Sequence, residues 1–171
     1  IYETYHDREW GRVVREDRVL FEFLILEGFQ AGLSWITILK KRAAFREAFD
    51  LFDYEKIAKY KEEKLEALLH NQDIVRNRLK IRSSVQNARA FMKVQEEFGS
   101  FSQYYWRFTQ GKTLVNKVSV YKEAPAFTPL SVKISKDLKK RGFNFVGPTI
   151  IYAFMQATGM VNDHEDSCYL Y

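Results

Sequence analysis

Residues 26–35 read Leu-Glu-Gly-Phe-Gln-Ala-Gly-Leu-Ser-Trp. They place a carboxylate (Glu27), two glycines (Gly28 and Gly32), an apolar Leu33 and an indole (Trp35) in one short stretch. A simple turn needs neither the carboxylate nor the indole. A pocket for a flat, nitrogen-rich ring uses both. The indole offers a stacking face, the carboxylate accepts hydrogen bonds from ring N–H groups, and glycine admits a second backbone. The blander fates are a helix-end glutamate in water and a tryptophan in the core.

A second cluster, Tyr5-His6-Asp7-Arg8-Glu9-Trp10-Gly11, is dense in aromatic and polar groups. Tyr5 and Trp10 either add faces to the same ring pocket or pack an N-terminal core, and the residues alone favour neither. Near the other end, His164 and Cys168 stand at His-x3-Cys spacing, which lets both reach one metal ion. His6 is the natural third ligand, because the two ends of a domain often lie close together. Four-coordinate zinc needs one more, and the chain's single cysteine is already used. His70, beside Asn71, reads as a solvated turn residue. No nucleophile elbow, P-loop or dinucleotide fingerprint is present.

The elements that must position these groups read almost entirely as helices. Asp17 is expected to cap a first helix, through Val19, Leu20, Phe23, Leu24 and Leu26. Ser34 caps a second, through Ile36, Ile38, Leu39, Ala43, Phe45 and Phe49. A third spans about Tyr54 to Tyr60 and a fourth about Glu62 to Leu69. After a turn at Asn71-Gln72-Asp73, a long helix runs from about Asn77 to Phe98. It puts Leu79, Ile81, Val85, Ala88, Phe91 and Val94 roughly on one face and closes at Gly99. Phe101 to Phe108 is short and aromatic. Residues 110–130, with Pro125 and Pro129, read as an extended loop. A helix over Ser131–Arg141 and another from Pro148 to Gly159 complete an all-α fold with no repeats.

The segment at about 66–98 has the form of a helix–hairpin–helix. Such hairpins grip DNA phosphates through the first backbone N–H groups of the second helix. Arg76, Arg78, Lys80 and Arg82 would add positive charge there. Asp73 stands where such a turn usually has glycine, so a plain helical hairpin with a solvated basic face is the competing reading. The basic run Lys136–Arg141 reads as a solvated face, and Phe143 and Phe145 beyond it as core.

The chain has 171 residues, 46% of them hydrophobic and 16% aromatic, enough for one domain with a real core. Its net charge of +5 fits a nucleic-acid partner without requiring one. One cysteine excludes an internal disulfide. No apolar run is long enough to span a membrane, and no signal-peptide pattern is present, so a soluble cytoplasmic protein is expected. The first residue is Ile1, which leads us to expect residues ahead of it.

Together these motifs resemble the bacterial 3-methyladenine DNA glycosylase I family. The resemblance is carried by Tyr-His-Asp-x-Glu-Trp-Gly at 5–11 and by Leu-Glu-Gly-x-Gln-Ala-Gly-Leu-Ser-Trp-x-Thr-x-Leu-Lys-Lys-Arg at 26–42. It continues in Asn-Ala-Arg-Ala at 87–90, Leu-Lys-Lys-Arg-Gly-Phe-x-Phe-Val-Gly at 138–147 and Met-Gln-Ala-x-Gly-x-Val-Asn-Asp-His at 155–164. It implies an all-α helix–hairpin–helix glycosylase over 1–171, a single domain whose terminal segments form a small second lobe joined by zinc. The activity implied is excision of 3-methyladenine from alkylated double-stranded DNA, by a monomer. Glu27 would hydrogen-bond the flipped base and carry the catalytic role. Tyr5 and Trp35 would hold its faces, and Trp10 would line the pocket. Gly32 and Leu33 would intercalate into the duplex. His6, His164 and Cys168 would be three ligands of a structural Zn2+. The family's further ligand, a cysteine ahead of the Tyr-His motif, is not among these residues. Phe29 stands where a polar residue is expected in the family, a departure that would reshape the pocket edge. Two other readings are a non-catalytic helix–hairpin–helix DNA-binding protein and a helical metalloprotein whose chemistry sits at the metal.

Overall fold

A computed structural model describes residues 3–5, 9, 11–115 and 126–162. They are mostly helical, in the order α1 (Asp17–Gln30), α2 (Trp35–Ala48), α3 (Tyr54–Ile57), α4 (Glu62–Leu69), α5 (Arg78–Phe98) and α6 (Phe101–Trp106), then α7 (Pro129–Lys140) and α8 (Pro148–Ala157). Two short strands, β1 (Leu114–Val115) and β2 (Val161–Asn162), stand before α7 and after α8.

α1 is the central element. Every residue from Leu20 to Phe29 is buried, and the helix packs against α2, α5, α6 and α8. The sequence Leu-Phe-Glu-Phe-Leu-Ile-Leu-Glu-Gly-Phe is apolar on all sides, which is the signature of a helix enclosed by others. Two glutamates are enclosed with it. The core is continuous from Tyr5 through α1, α2, α5 and α6 to α8 and Val161.

Several expectations are corrected. Asp17 does not cap its own helix, which has no side-chain cap. Its carboxylate instead accepts from the Phe101 and Ser102 amides at 2.9 and 2.8 Å and from Gln95 Nε2 at 2.8 Å. It therefore satisfies the otherwise unpaired first amides of α6. Ser34 does cap α2, accepting from the Thr37 amide at 3.3 Å. On α5, Ile81, Val85, Ala88, Phe91 and Val94 are buried, but Leu79 is 65% exposed. Leu79 lies about 200° around the helix from Ile81, so it never shared that face. The loop expected over 110–130 contains β1, which pairs in parallel with β2, Leu114 opposite Val161 and Val115 opposite Asn162. Strands this short leave no alternation to read.

The same region brings residues 12–14 against the turn after α8. The Val14 amide donates to Thr158 O at 3.0 Å, and Trp106 Nε1 donates to Val14 O at 2.9 Å. At Gly159, φ is +78° and a Cβ would lie 2.6 Å from the carbonyl carbon of Arg12. Only glycine lets the N-terminal segment lie on the turn after α8.

Candidate functional site

α1 carries two buried glutamates, and their surroundings differ in kind. Glu22 accepts from Arg42 Nη2 at 3.0 Å and from Arg46 through both Nε and Nη2, while Arg42 Nη1 also reaches Glu9 at 2.6 Å. Burial alone would raise the Glu22 carboxyl, but the hydrogen bonds and charges of Arg46 and Arg42 outweigh it and hold it below the usual carboxylate range. Glu27 is only 4% exposed. Among the described residues it meets no cation and no hydrogen-bond donor, and burial pushes its pKa up to about 8. A carboxylate held in this state costs the fold stability and gains from any cationic or N–H-bearing ligand that reaches it.

The ring pair expected to flank a base comes together. Tyr5 and Trp35 lie with centroids 5.5 Å apart and planes inclined by 54°. Tyr5 is buried and Trp35 partly buried, and Trp35 Nε1 is buried with no acceptor among the described residues. Trp35 is the first residue of α2, so the Ser34 cap fixes its backbone. The link between α1 and α2 is a tight turn. Leu33 N–H donates to Gln30 O at 2.7 Å, and Gln30 Nε2 returns to Leu33 O at 2.6 Å. Gly32 takes φ +81° with open space around it. The turn holds Leu33 outward, 38% exposed, on a braced backbone.

Of the two residues after Glu27, Gly28 admits a second backbone, as expected of a glycine there, and Phe29 departs from its expected role. Gly28 faces the link between α7 and α8, where a Cβ would meet Phe145 Cβ at 3.4 Å. Phe29 is a core residue rather than a pocket edge: it is 1% exposed and packs on Phe45 and Phe49, with centroids 4.8 and 5.9 Å away.

The hairpin between α4 and α5 forms without glycine. No residue of the turn has positive φ. The Asn71 side chain takes the Asp73 amide at 2.9 Å, so an Asx turn bends the chain instead. The Asn77 side chain caps α5 by accepting from the Lys80 amide at 3.1 Å. The charge at this end is less free than its sequence implies. Arg78 pairs with Glu66 at 2.9 Å, and Arg82 pairs with both Glu62 oxygens at 2.6 and 2.8 Å. Lys80 turns inward. Arg76 stays exposed. Phe143 is buried, as expected of a core residue.

His6, Trp10, His164 and Cys168, expected as pocket and metal residues, lie outside the described residues. Sequence reasoning missed the Glu9–Arg42–Glu22–Arg46 cluster. The i, i+4 spacing of Arg42 and Arg46 was visible, but their partners are 20 or more positions away. It also missed Asn87, whose side chain holds the Asn144 backbone through bonds of 3.0 and 2.8 Å. The only signal was the Asn-Ala-Arg-Ala motif itself.

The family model described as methyladenine glycosylase matches residues 1–171. The DNA-3-methyladenine glycosylase of Haemophilus influenzae is 46% identical over 168 residues, covering 98% of this chain and 91% of its own. A tyrosine-to-phenylalanine variant of a 3-methyladenine DNA glycosylase I, solved in complex with 3-methyladenine, matches with a TM-score of 0.96 at 34% identity, over 98% of this chain and 90% of that one. A glutamate-to-glutamine variant of the Staphylococcus aureus enzyme matches with a TM-score of 0.95 at 34% identity, over 98% and 90%.

Proposed function

The chain belongs to the methyladenine glycosylase family, and we propose from that footing how its residues divide the work on DNA. It is a base-excision repair glycosylase that flips out 3-methyladenine and hydrolyses its N-glycosidic bond. In our reading Glu27 receives the base. The observation that carries this is a buried carboxylate with no counter-charge among the described residues, in the same short stretch as Trp35. The tyrosine and glutamate altered in those two solved relatives stand 22 positions apart, as Tyr5 and Glu27 do, which supports the same reading.

The chemistry follows from the lesion. Methylation at N3 makes the adenine cationic within DNA, which weakens its bond to the sugar. A desolvated carboxylate and electron-rich ring faces suit a flat cation, through charge complementarity and cation–π contact. Neither suits neutral adenine as well, so selectivity comes with binding. Flipping costs a few kcal/mol, less for a damaged pair. Tyr5 and Trp35 hold the ring faces, and Trp10 lines the pocket. Leu33, presented by Gly32, fills the gap left in the stack. Water then attacks C1′ and gives up a proton to solvent, while the base leaves with the bonding electron pair, which neutralises its positive charge.

The substrate we assign is duplex DNA bearing alkylated adenine, engaged in the cytoplasm by a monomer acting as one domain over 1–171, with the terminal segments as a smaller lobe. His6, His164 and Cys168 would hold a structural Zn2+. Two imidazoles and one thiolate suit that ion. Bound, the ion would join the chain ends and supply no step of the reaction. A non-catalytic DNA-binding protein would have no use for a buried carboxylate that meets no partner among the described residues. The deciding experiment measures 3-methyladenine release from methylated DNA by Glu27→Gln and Trp35→Ala. Wild-type rates from folded variants would defeat the assignment.

A further inference from the structure

Resting on the wedge role given to Leu33 above and on the helix–hairpin–helix reading of about 66–98, we infer that Lys80 is a positioning residue that fixes the Gly32–Leu33 turn to the N-terminal end of α5. Lys80 lies in the first turn of α5, where its backbone amide is taken by the Asn77 cap. Its side chain leaves the hairpin and crosses to α1. The ammonium donates to Phe29 O at 2.9 Å and to Ala31 O at 2.8 Å, residues 51 and 49 positions away. α1 ends at Gln30 and Ala31 is its C-cap, so the two carbonyls lie at the helix end, where no further helical amide follows to take them. A cation there also meets the negative end of the helix dipole.

The position of the two acceptors gives the contact its meaning. Phe29 follows Glu27 by two residues, and Ala31 immediately precedes Gly32. One side chain thus holds the strand of backbone between the base-reading carboxylate and the wedge. Lys80 shares a small cleft with Gly28, Ser83, Ser84, Asn87 and Phe145, and burial lowers its ammonium pKa. A solvated lysine of a DNA-binding face has none of these features. When the hairpin seats on a phosphate, α5 is placed on the duplex, and Lys80 carries that placement to the wedge. Without it, among the described residues the turn keeps its local bonds from Gln30 and Ser34.

Three measurements on Lys80→Met and Lys80→Arg test this: single-turnover release of 3-methyladenine from methylated duplex, quenching of tryptophan fluorescence by free 3-methyladenine, and melting temperature. K80M is expected to slow release from duplex by about tenfold or more, since small misplacements of reacting groups carry costs of that order. Its affinity for the free base should stay within about twofold of wild type, because the pocket itself is untouched. K80R, which keeps the donors, should recover most of the rate. In a Leu33→Ala background, K80M should add less than about a further twofold. An unchanged K80M rate overturns the inference. So does a loss of free-base affinity in step with the rate, or full additivity with L33A. If K80M melts below the assay temperature, Lys80→Gln takes its place in the same measurements. Full activity of L33A alone would instead remove the wedge reading, and is scored separately from K80M.

Discussion

Glu22 and Glu27 lie five positions apart on one buried helix, and two arginines neutralise the first while no cation among the described residues meets the second. The fold therefore spends one carboxylate on holding α1 to α2 and keeps the other available.

Glu27→Gln should abolish most excision and stabilise the protein. Losing a hydrogen bond to a charged acceptor predicts a fall of about 10- to 100-fold in release from methylated DNA. The stability gain has a pH signature. The folded pKa of Glu27 is raised from 4.5 to about 8, so its favourable protonation is fully present below 4.5 and lost as pH rises toward 8. The melting temperatures of wild type and E27Q should coincide near pH 4, diverge across that window and differ by a constant amount above it. The full difference is on the order of 5 kcal/mol. Equal melting temperatures at pH 8.5 would show that the carboxylate has a partner.

Arg42→Met should be costly in the opposite sense. It leaves Glu22 buried with Arg46 alone and releases Glu9. Breaking a buried pair from one side costs about 3–5 kcal/mol. Glu22 is held below its ordinary range, so its pairing stabilises above pH 4.5 and fades as pH falls through the lowered value. Urea unfolding at pH 7 and pH 3 should show the gap between R42M and wild type narrowing in acid.

Leu33→Ala should separate binding from flipping. The side chain is 38% exposed, so the loss in stability should be below about 1 kcal/mol. Release from duplex should fall by about tenfold, release from single strands much less, since no stack has to be held open there. Gly32→Ala should cost about 1–2 kcal/mol, from its φ of +81° and not from crowding.

Gly159→Ala is expected to be among the most damaging single methyl additions. The new Cβ would overlap the Arg12 backbone, and φ is +78°. Calorimetry should show a loss above about 2 kcal/mol. Excision should fall as well, because Arg12 leads directly to the segment that carries Tyr5.

Treatment with a chelator should lower the melting temperature and leave excision at lower temperatures largely intact. That is the behaviour of a metal filled by protein ligands. Immediate loss of excision in a still-folded protein would place the metal in the chemistry.

Much of this was legible in the sequence, for identifiable reasons. α2, α4, α5 and α8 follow from 3.6-residue periodicity and from local start signals such as Ser34 and Pro148, which act over a few residues. The Glu27–Trp35 stretch was legible because its residue types do not suit an ordinary turn. What stayed hidden depends on distant partners. Asp17 looks like a helix cap, and only the arrival of α6 shows which helix it caps. Arg78 and Arg82 look like DNA contacts until Glu66 and Glu62 are placed opposite them. Lys80 reads as one more surface charge until the end of α1 lies beside it. Burial of Glu27 with no partner among the described residues could not be read at all, since it is a property of everything around it.

The contact between Arg12 and Gly159 also orders the assembly of the molecule. The N-terminal segment docks on a turn nearly the whole chain away, a contact that forms late because its loop closes only after the helices between are in place. Tyr5 travels with that segment, so one wall of the base site would be the last part to form and the first to open. Partial unfolding should then silence the enzyme before its helices melt. In rising urea, 3-methyladenine release should disappear at a lower concentration than the helical circular dichroism signal, and hydrogen exchange should be faster at Val14 than in the middle of α1.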